Sequence, residues 1–231
     1  MPFDNFDKII KYPPYISAIH AVWTENNFPT TSIHENIEAD DNELTIAQKV
    51  FDSNIKTLTN TKKILKLNDL KKAAEIISKS NILYFFGIGG SEILAKDAYH
   101  KFLRSPILVR HNTDYHMQLM EASLLTAQDC AICISHTGNS KETIKIAEIV
   151  KKAGAKVIVI TSHASSPLAK IGDVVFISIS EEIKFHSEAL SSRISQLSIL
   201  DSLYVILMFM NQEKSKEALS KVRHNILEVK K

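Results

Sequence analysis

The chain has only six glycines, six prolines, two cysteines and one tryptophan in 231 residues. Two cysteines cannot build the disulfide framework of a small secreted domain, and both lie in DCAICIS at 129–135, which reads as a strand. Residues three apart on a strand point to opposite faces. Cys130 and Cys133 therefore do not suit a metal knuckle, which wants a turn between its thiols and a second ligand pair elsewhere; they are expected to be small buried hydrophobes. No apolar run reaches the roughly 18–20 residues that span a bilayer, and the opening MPFDNFDKII lacks the basic segment, apolar stretch and small-residue cleavage site of a secretory leader. A cytoplasmic location without membrane contact is the default expectation. A long basic block is missing too: 28 Lys and Arg stand interspersed with 26 Asp and Glu, for a net charge of +2, which is not the footprint of a strong nucleic-acid binder.

What is present is the ordinary material of a globular protein, 45% hydrophobic and 23% charged, enough for one domain with an appendage. Pro2, Pro13, Pro14, Pro29 and the acidic HENIEADDNE mark residues 1–44 as an irregular or at most briefly helical extension or linker, ahead of a main domain at 45–231. Ile46, Val50, Ile55 and Leu58, then Leu67, Leu70, Ala74 and Ile77, recur near helical spacing and predict two helices, the second capped by Asn68 or Asp69. Beyond them apolar strands alternate with amphipathic helices. The strands are ILYFF at 82–86, PILVR at 106–110, DCAICIS, KVIVIT at 156–161 and DVVFISI at 173–179. Gly154 stops the helix before the fourth strand, and a long apolar-faced helix from about Ser187 to Met210 closes the series, most simply as core. Continuous Val, Ile and Phe strands between such helices mean a parallel sheet covered on both faces, a doubly wound α/β fold. In that class ligands sit beyond the carboxyl ends of the strands, where the strand order reverses.

Two strand-to-helix loops there draw the eye. GIGGS at 87–91 lets backbone approach a ligand closely and runs into a helix N-terminus, which favours anions. It is not a dinucleotide fingerprint, because position 92 is Glu and the second strand ends in Arg110 and His111 where an acidic residue would hold a ribose. It is not a P-loop either, lacking Gly-Lys-Ser/Thr. The bland alternative is a tight turn with Ser91 as helix cap. SHTGNS at 135–140 is richer in hydroxyls than a turn requires. Ser135, Thr137, Ser140 and neighbouring amides are suited to the three terminal oxygens of a phosphomonoester, with the helix beginning near Ser140 adding its positive end. Here the bland alternative is Ser140 as a cap with the other hydroxyls facing water.

Together with TSHASSPLAKIGDVVF and SEALSSRISQLSILDSLY, these loops resemble the sugar isomerase (SIS) domain in the version carried by RpiR-type transcriptional regulators, over about residues 45–215. The resemblance implies a five-stranded flavodoxin-like sheet, a homodimer or homotetramer, and a phosphosugar at the strand ends, with no cofactor or metal. It implies that Ser135, His136, Thr137, Gly138 and Ser140 wrap the phosphate. Gly89, Gly90 and Ser91 would wall the sugar side, and Glu188 would face the sugar.

Three readings remain open at this point: a phosphosugar sensor, an enzyme, and a structural or interaction module that binds no sugar phosphate. An isomerase needs a positioned base, for which Glu188, His186, His136 and Glu92 are candidates; a sensor uses the same groups to hydrogen-bond sugar hydroxyls. His100, His111 and His116 are read as structural or surface residues. RpiR-type regulators carry an N-terminal helix-turn-helix domain, whereas the segment before residue 45 is short and its Pro13-Pro14 pair would break a helix. DNA binding is thus expected only if such a domain is supplied outside the sugar-binding part.

Overall fold

The computed structural model describes residues 37–38, 40–179 and 190–229. The chain divides into two compact units, 1–49 and 50–231. Within the first, Lys49 Nζ pairs with Asp41 Oδ2 at 2.6 Å. Most of the extension read from the prolines, and the segment holding His186 and Glu188, lie outside the described residues.

The helical periodicity ahead of the first strand becomes α1 (Glu43–Ile64) and α2 (Leu67–Lys79). The expected cap of α2 differs: the helix starts at Leu67, and Lys66 precedes it without any side-chain cap, so Asn68 and Asp69 fall inside the first turn. There follow β1 (Ile82–Gly87), α3 (Gly90–Phe102), β2 (Leu108–His111), α4 (Tyr115–Ser123), β3 (Cys130–Ile134), α5 (Lys141–Lys152), β4 (Lys156–Thr161), α6 (Pro167–Ile171), β5 (Val174–Ile177), α7 (Leu190–Met210) and α8 (Gln212–Glu228). Asp114 caps α4, its carboxylate accepting from the Met117 amide at 2.9 Å. Gly154, just past α5, takes φ +84°, the left-handed conformation that ends a helix.

All five strands are parallel, in the order β2-β1-β3-β4-β5, which is the flavodoxin-like arrangement. Successive residues of a buried strand serve opposite faces, and β1 shows it. Phe85 packs with Ala98, Phe102, Ile199 and Leu203 on the side of α2, α3 and α7; Phe86 packs with Ile146, Val150 and Leu168 on the side of α4, α5 and α6. Each fully buried Phe removes enough apolar surface to contribute roughly 1.5–3 kcal/mol. Cys130 belongs to the first cluster and Cys133 to the second, as the three-residue spacing requires.

The last long helix only partly meets its core expectation. Ile199, Leu200, Leu203 and Leu207 are buried, but Val205, Phe209 and Met210 stand 50%, 71% and 50% exposed. Ser192–Met210 is also long and apolar enough to cross a membrane by length and composition. Counting unbroken apolar runs misses it because Arg193, Asp201 and several serines interrupt the stretch. Its buried face packs on the sheet as a core helix does.

Burial alone pushes the Cys133 thiol up to about 12, and burial chiefly does the same to Cys130. The reactive thiolate is therefore scarce at neutral pH. The native protein should not react with a disulfide reagent at pH 8, and both thiols should titrate at once when the chain is unfolded in urea; absorbance of the released thiolate reports each state.

Candidate functional site

The sheet topology brings the two loops together. Gly87, the last residue of β1, is in register with Ile134, the last of β3, and the strand order reverses between these strands. From β1 the chain turns to α3 on one face; from β3 it turns to α5 on the other. The diverging loops leave a crevice at the carboxyl edge, as expected for this fold.

On the β1 side, each glycine answers a different constraint. A Cβ on Gly87 would sit 2.5 Å from the Ser91 carbonyl oxygen, so the turn closes only without one. Gly89 has φ +59° and nothing within 4 Å of the place a Cβ would take, so its requirement is conformational and the space beside it is open. Helix α3 begins at Gly90, with Gly89 as N-cap and no side-chain cap. Ser91 is thus a half-buried first-turn residue, not the cap that the bland reading of this loop supposes. The Ser91 and Glu92 amides donate to Ile88 and Gly89 carbonyls at 3.2 and 3.1 Å, so this wall offers small size more than open amides. Beneath it Gln118, fully buried, donates from Nε2 to the Gly87 and Asn112 carbonyls at 3.1 and 2.8 Å, fixing the end of β1.

On the β3 side, Ser135 is 5% exposed; its amide donates to Ile160 O, and its Oγ accepts from the Gly138 amide at 3.2 Å. Thr137 is exposed, and its Oγ1 accepts from the Asn139 amide at 3.2 Å. Each of these oxygens accepts a backbone N–H and so keeps its own hydroxyl hydrogen as a donor. Ser140 differs. It is the N-cap of α5, accepting from Thr143 N at 3.3 Å, and it donates its hydroxyl to Glu142 Oε2 at 2.9 Å. The capping alternative is therefore realised for Ser140. Gly138, at φ +64°, is the tightest point: a Cβ would lie 2.1 Å from Ser166 Oγ and 2.9 Å from Thr161 Oγ1. That contact, with Leu168 N donating to Gly138 O at 3.1 Å, holds the loop against the one that follows β4.

A polar chain runs along the same edge. Gln196 on α7, 1% exposed, donates from Nε2 to Ser178 Oγ at 3.0 Å; Ser178 Oγ lies 2.8 Å from Ser162 Oγ, which lies 2.9 Å from His136 Nδ1. The His136 carbonyl accepts from Ser162 N and Thr161 Oγ1 at 2.9 and 3.1 Å. Either serine hydroxyl can donate within this chain, and His136 Nδ1 donates or accepts according to its tautomer. Arg193, three residues from Gln196 and so on the same helical face, reaches Gly90: a Cβ there would be 2.9 Å from its Nη2.

The described candidates therefore sort as follows. Gly89, Gly90 and Ser91 follow β1, and Ser135, His136, Thr137, Gly138 and Ser140 follow β3, at the carboxyl ends of two paired strands. Glu92 turns the other way: its Oε1 is 3.1 Å from Nε2 of His111, whose Nδ1 is 3.1 Å from the Phe85 carbonyl oxygen. His111 is thereby structural, as read from the sequence. Glu188 and His186 lie outside the described residues. Gln118, Ser178, Gln196 and Arg193 were not singled out in the sequence; the one signal was polar residues at i, i+3 in an otherwise apolar helix. Among the described residues, no three His, Cys, Asp or Glu side chains gather as metal ligands would.

Replacing Gly138 with alanine should destabilise the fold by about 2–4 kcal/mol, combining left-handed strain with overpacking against Ser166. Urea denaturation of Gly138→Ala against the parent measures it.

Comparison with known proteins identifies the domain. The SIS domain family matches residues 76–206. The chain is 34% identical over 177 residues to an uncharacterised HTH-type transcriptional regulator of Caldanaerobacter subterraneus, covering 77% of this chain and 63% of that one. It is 30% identical over 205 residues to another from Haemophilus influenzae, covering 89% and 71%. To the HTH-type transcriptional regulator RpiR of Escherichia coli K12 it is 31% identical over 170 residues, covering 74% and 57%. Relative to the first and third of these the chain spans less than two thirds of the relative's length. Among solved structures, Vibrio vulnificus NanR complexed with ManNAc-6P superposes with a TM-score of 0.76 at 19% identity, over 94% of this chain and 76% of that one. A putative sugar-phosphate isomerase of Listeria monocytogenes superposes at 0.68 and 23% identity, over 79% and 98%. At these identities the superpositions speak for the fold.

Proposed function

Because the chain belongs to the SIS domain family, with HTH-type transcriptional regulators among its relatives, we propose that residues 45–231 bind a sugar phosphate as the effector-sensing part of an RpiR-type regulator of sugar metabolism. The observation that carries this reading is the 135–140 loop. Ser135 and Thr137 each use the oxygen lone pair on a backbone amide and keep a hydroxyl hydrogen to donate. The phosphate lies against them and the N-terminus of α5, whose dipole favours its charge; Ser140 contributes through the cap it makes. The sugar extends toward Gly89, Gly90 and Ser91, with Glu188 facing its hydroxyls.

The alternative is a phosphosugar isomerase with Glu188 as general base, favoured by the likeness to the Listeria protein. The described bases argue for sensing. Glu92 is engaged by His111, and His136 Nδ1 is engaged by Ser162 Oγ. The protein would act in the cytoplasm as a homodimer or homotetramer, a state to which the exposed Val205, Phe209 and Met210 of α7 lend support. DNA binding would come from a helix-turn-helix domain outside the sugar-binding part.

A sugar phosphate bound only by the native state must raise its melting temperature. Against a panel of hexose, pentose and amino-sugar phosphates, at least one compound should do so without being converted. Charge-assisted hydrogen bonds contribute about 1.5–3 kcal/mol each, so Ser135→Ala with Thr137→Ala should weaken that compound's binding by roughly 100-fold or more, while circular dichroism stays native. Unchanged affinity would remove the site assignment, and steady turnover abolished by Glu188→Ala would favour the isomerase.

A further inference from the structure

Arg193 has no evident structural reason to be where it is. Its guanidinium rests on Gly90, close enough that a single added methyl there would meet Nη2 at 2.9 Å. Among the described residues it has no acidic partner within ion-pair distance, unlike Lys101, which pairs with both Asp97 and Asp201. It also sits at the first turn of α3, where the helix dipole is positive. A cation placed there is electrostatically unfavourable unless negative charge comes between them. Its other neighbour along the same helical face is Gln196, which leads through Ser178 and Ser162 to His136. Arg193 therefore stands beside the glycine turn that follows β1, one helical turn from the Gln196 that begins the chain to His136.

We propose that Arg193 is a specificity-determining residue that receives a carboxylate at the end of the ligand remote from its phosphate, so that the effector class is a phosphorylated sugar acid. The inference rests on the phosphosugar reading of the 135–140 loop. If that loop and the α5 N-terminus hold the phosphate, a second negative charge on the same ligand would find its partner in Arg193. A sugar hydroxyl supplies only a dipole, whereas a carboxylate matches the guanidinium fork with two parallel hydrogen bonds. Gly90 keeps the approach open, because any side chain at that position would occupy the space of the guanidinium.

The test is isothermal titration of the full chain with two matched pairs: glucose 6-phosphate with 6-phosphogluconate, and erythrose 4-phosphate with 4-phosphoerythronate. A bidentate charged pair predicts that the acid of at least one pair binds ~10-fold or more tightly than its aldose. Arg193→Gln should erase that preference and leave the aldose affinity within about twofold, the size of change expected where no charged contact is lost. Arg193→Lys keeps the charge without the fork, so it should retain part of the preference, and it serves as the reading should the glutamine variant fail to fold. A preference that survives Arg193→Gln, or that Arg193→Lys leaves at full strength, overturns the inference. So does an equal loss for both members of a pair, which would put the guanidinium on the phosphate, and so does a wild-type chain that prefers the aldoses or binds none of the four. Ser135→Ala with Thr137→Ala separates the two readings: if it leaves binding of every compound unchanged, the phosphate site itself is misplaced and this inference falls with it.

Discussion

The loop after β3 can reach its conformation only because Gly138 has no side chain. With φ +64° and Ser166 Oγ occupying the place of a Cβ, the backbone at this point lies directly on the loop after β4. Everything at the crevice is referred to that contact. It sets where Ser135 Oγ meets the Gly138 amide, where Thr137 projects, and how α5 starts from Ser140. The tie is made mostly by backbone and short hydroxyl side chains, which have few rotamers to lose. Such a loop can present donors without first paying to order them, and that preorganisation is what tight recognition of a small anion needs.

The second constraint is topological. Parallel strands put all their carboxyl ends on one edge, and the reversal between β1 and β3 sends α3 and α5 to opposite faces. A crevice is unavoidable there. Short loops follow the strands at this edge, and α7 carries Arg193 and Gln196 on one face, reaching Gly90 and Ser178. The chain from Gln196 through Ser178 and Ser162 to His136 links three loops and a helix.

Much of this fold was legible in the sequence. Unbroken Val, Ile and Phe runs between amphipathic segments define a parallel sheet, Gly154 marks a helix end, and the spacing of Cys130 and Cys133 assigns them to opposite faces. The caps were less legible. Asn68, Asp69 and Ser91 all have the right chemistry to cap, yet α2 begins at Leu67 and α3 at Gly90, because the connection from the preceding element determines where the first turn closes. Hydroxyls were also ambiguous by type: Ser140 caps its helix while Ser135 and Thr137 brace the loop, and nothing in the string SHTGNS separates those roles.

By itself, then, the sequence determined the α/β class, the two candidate strand-to-helix loops, and the kinship with SIS domains, because periodicity and short motifs are local properties. Only the tertiary structure decided which residues from distant segments meet. It turned Glu92 toward His111, placed Gln118 under Gly87, seated Gly138 on Ser166, and laid Arg193 against Gly90 across about a hundred residues of chain. Such contacts depend on strand order and helix packing, and these are settled by burial of the whole core at once.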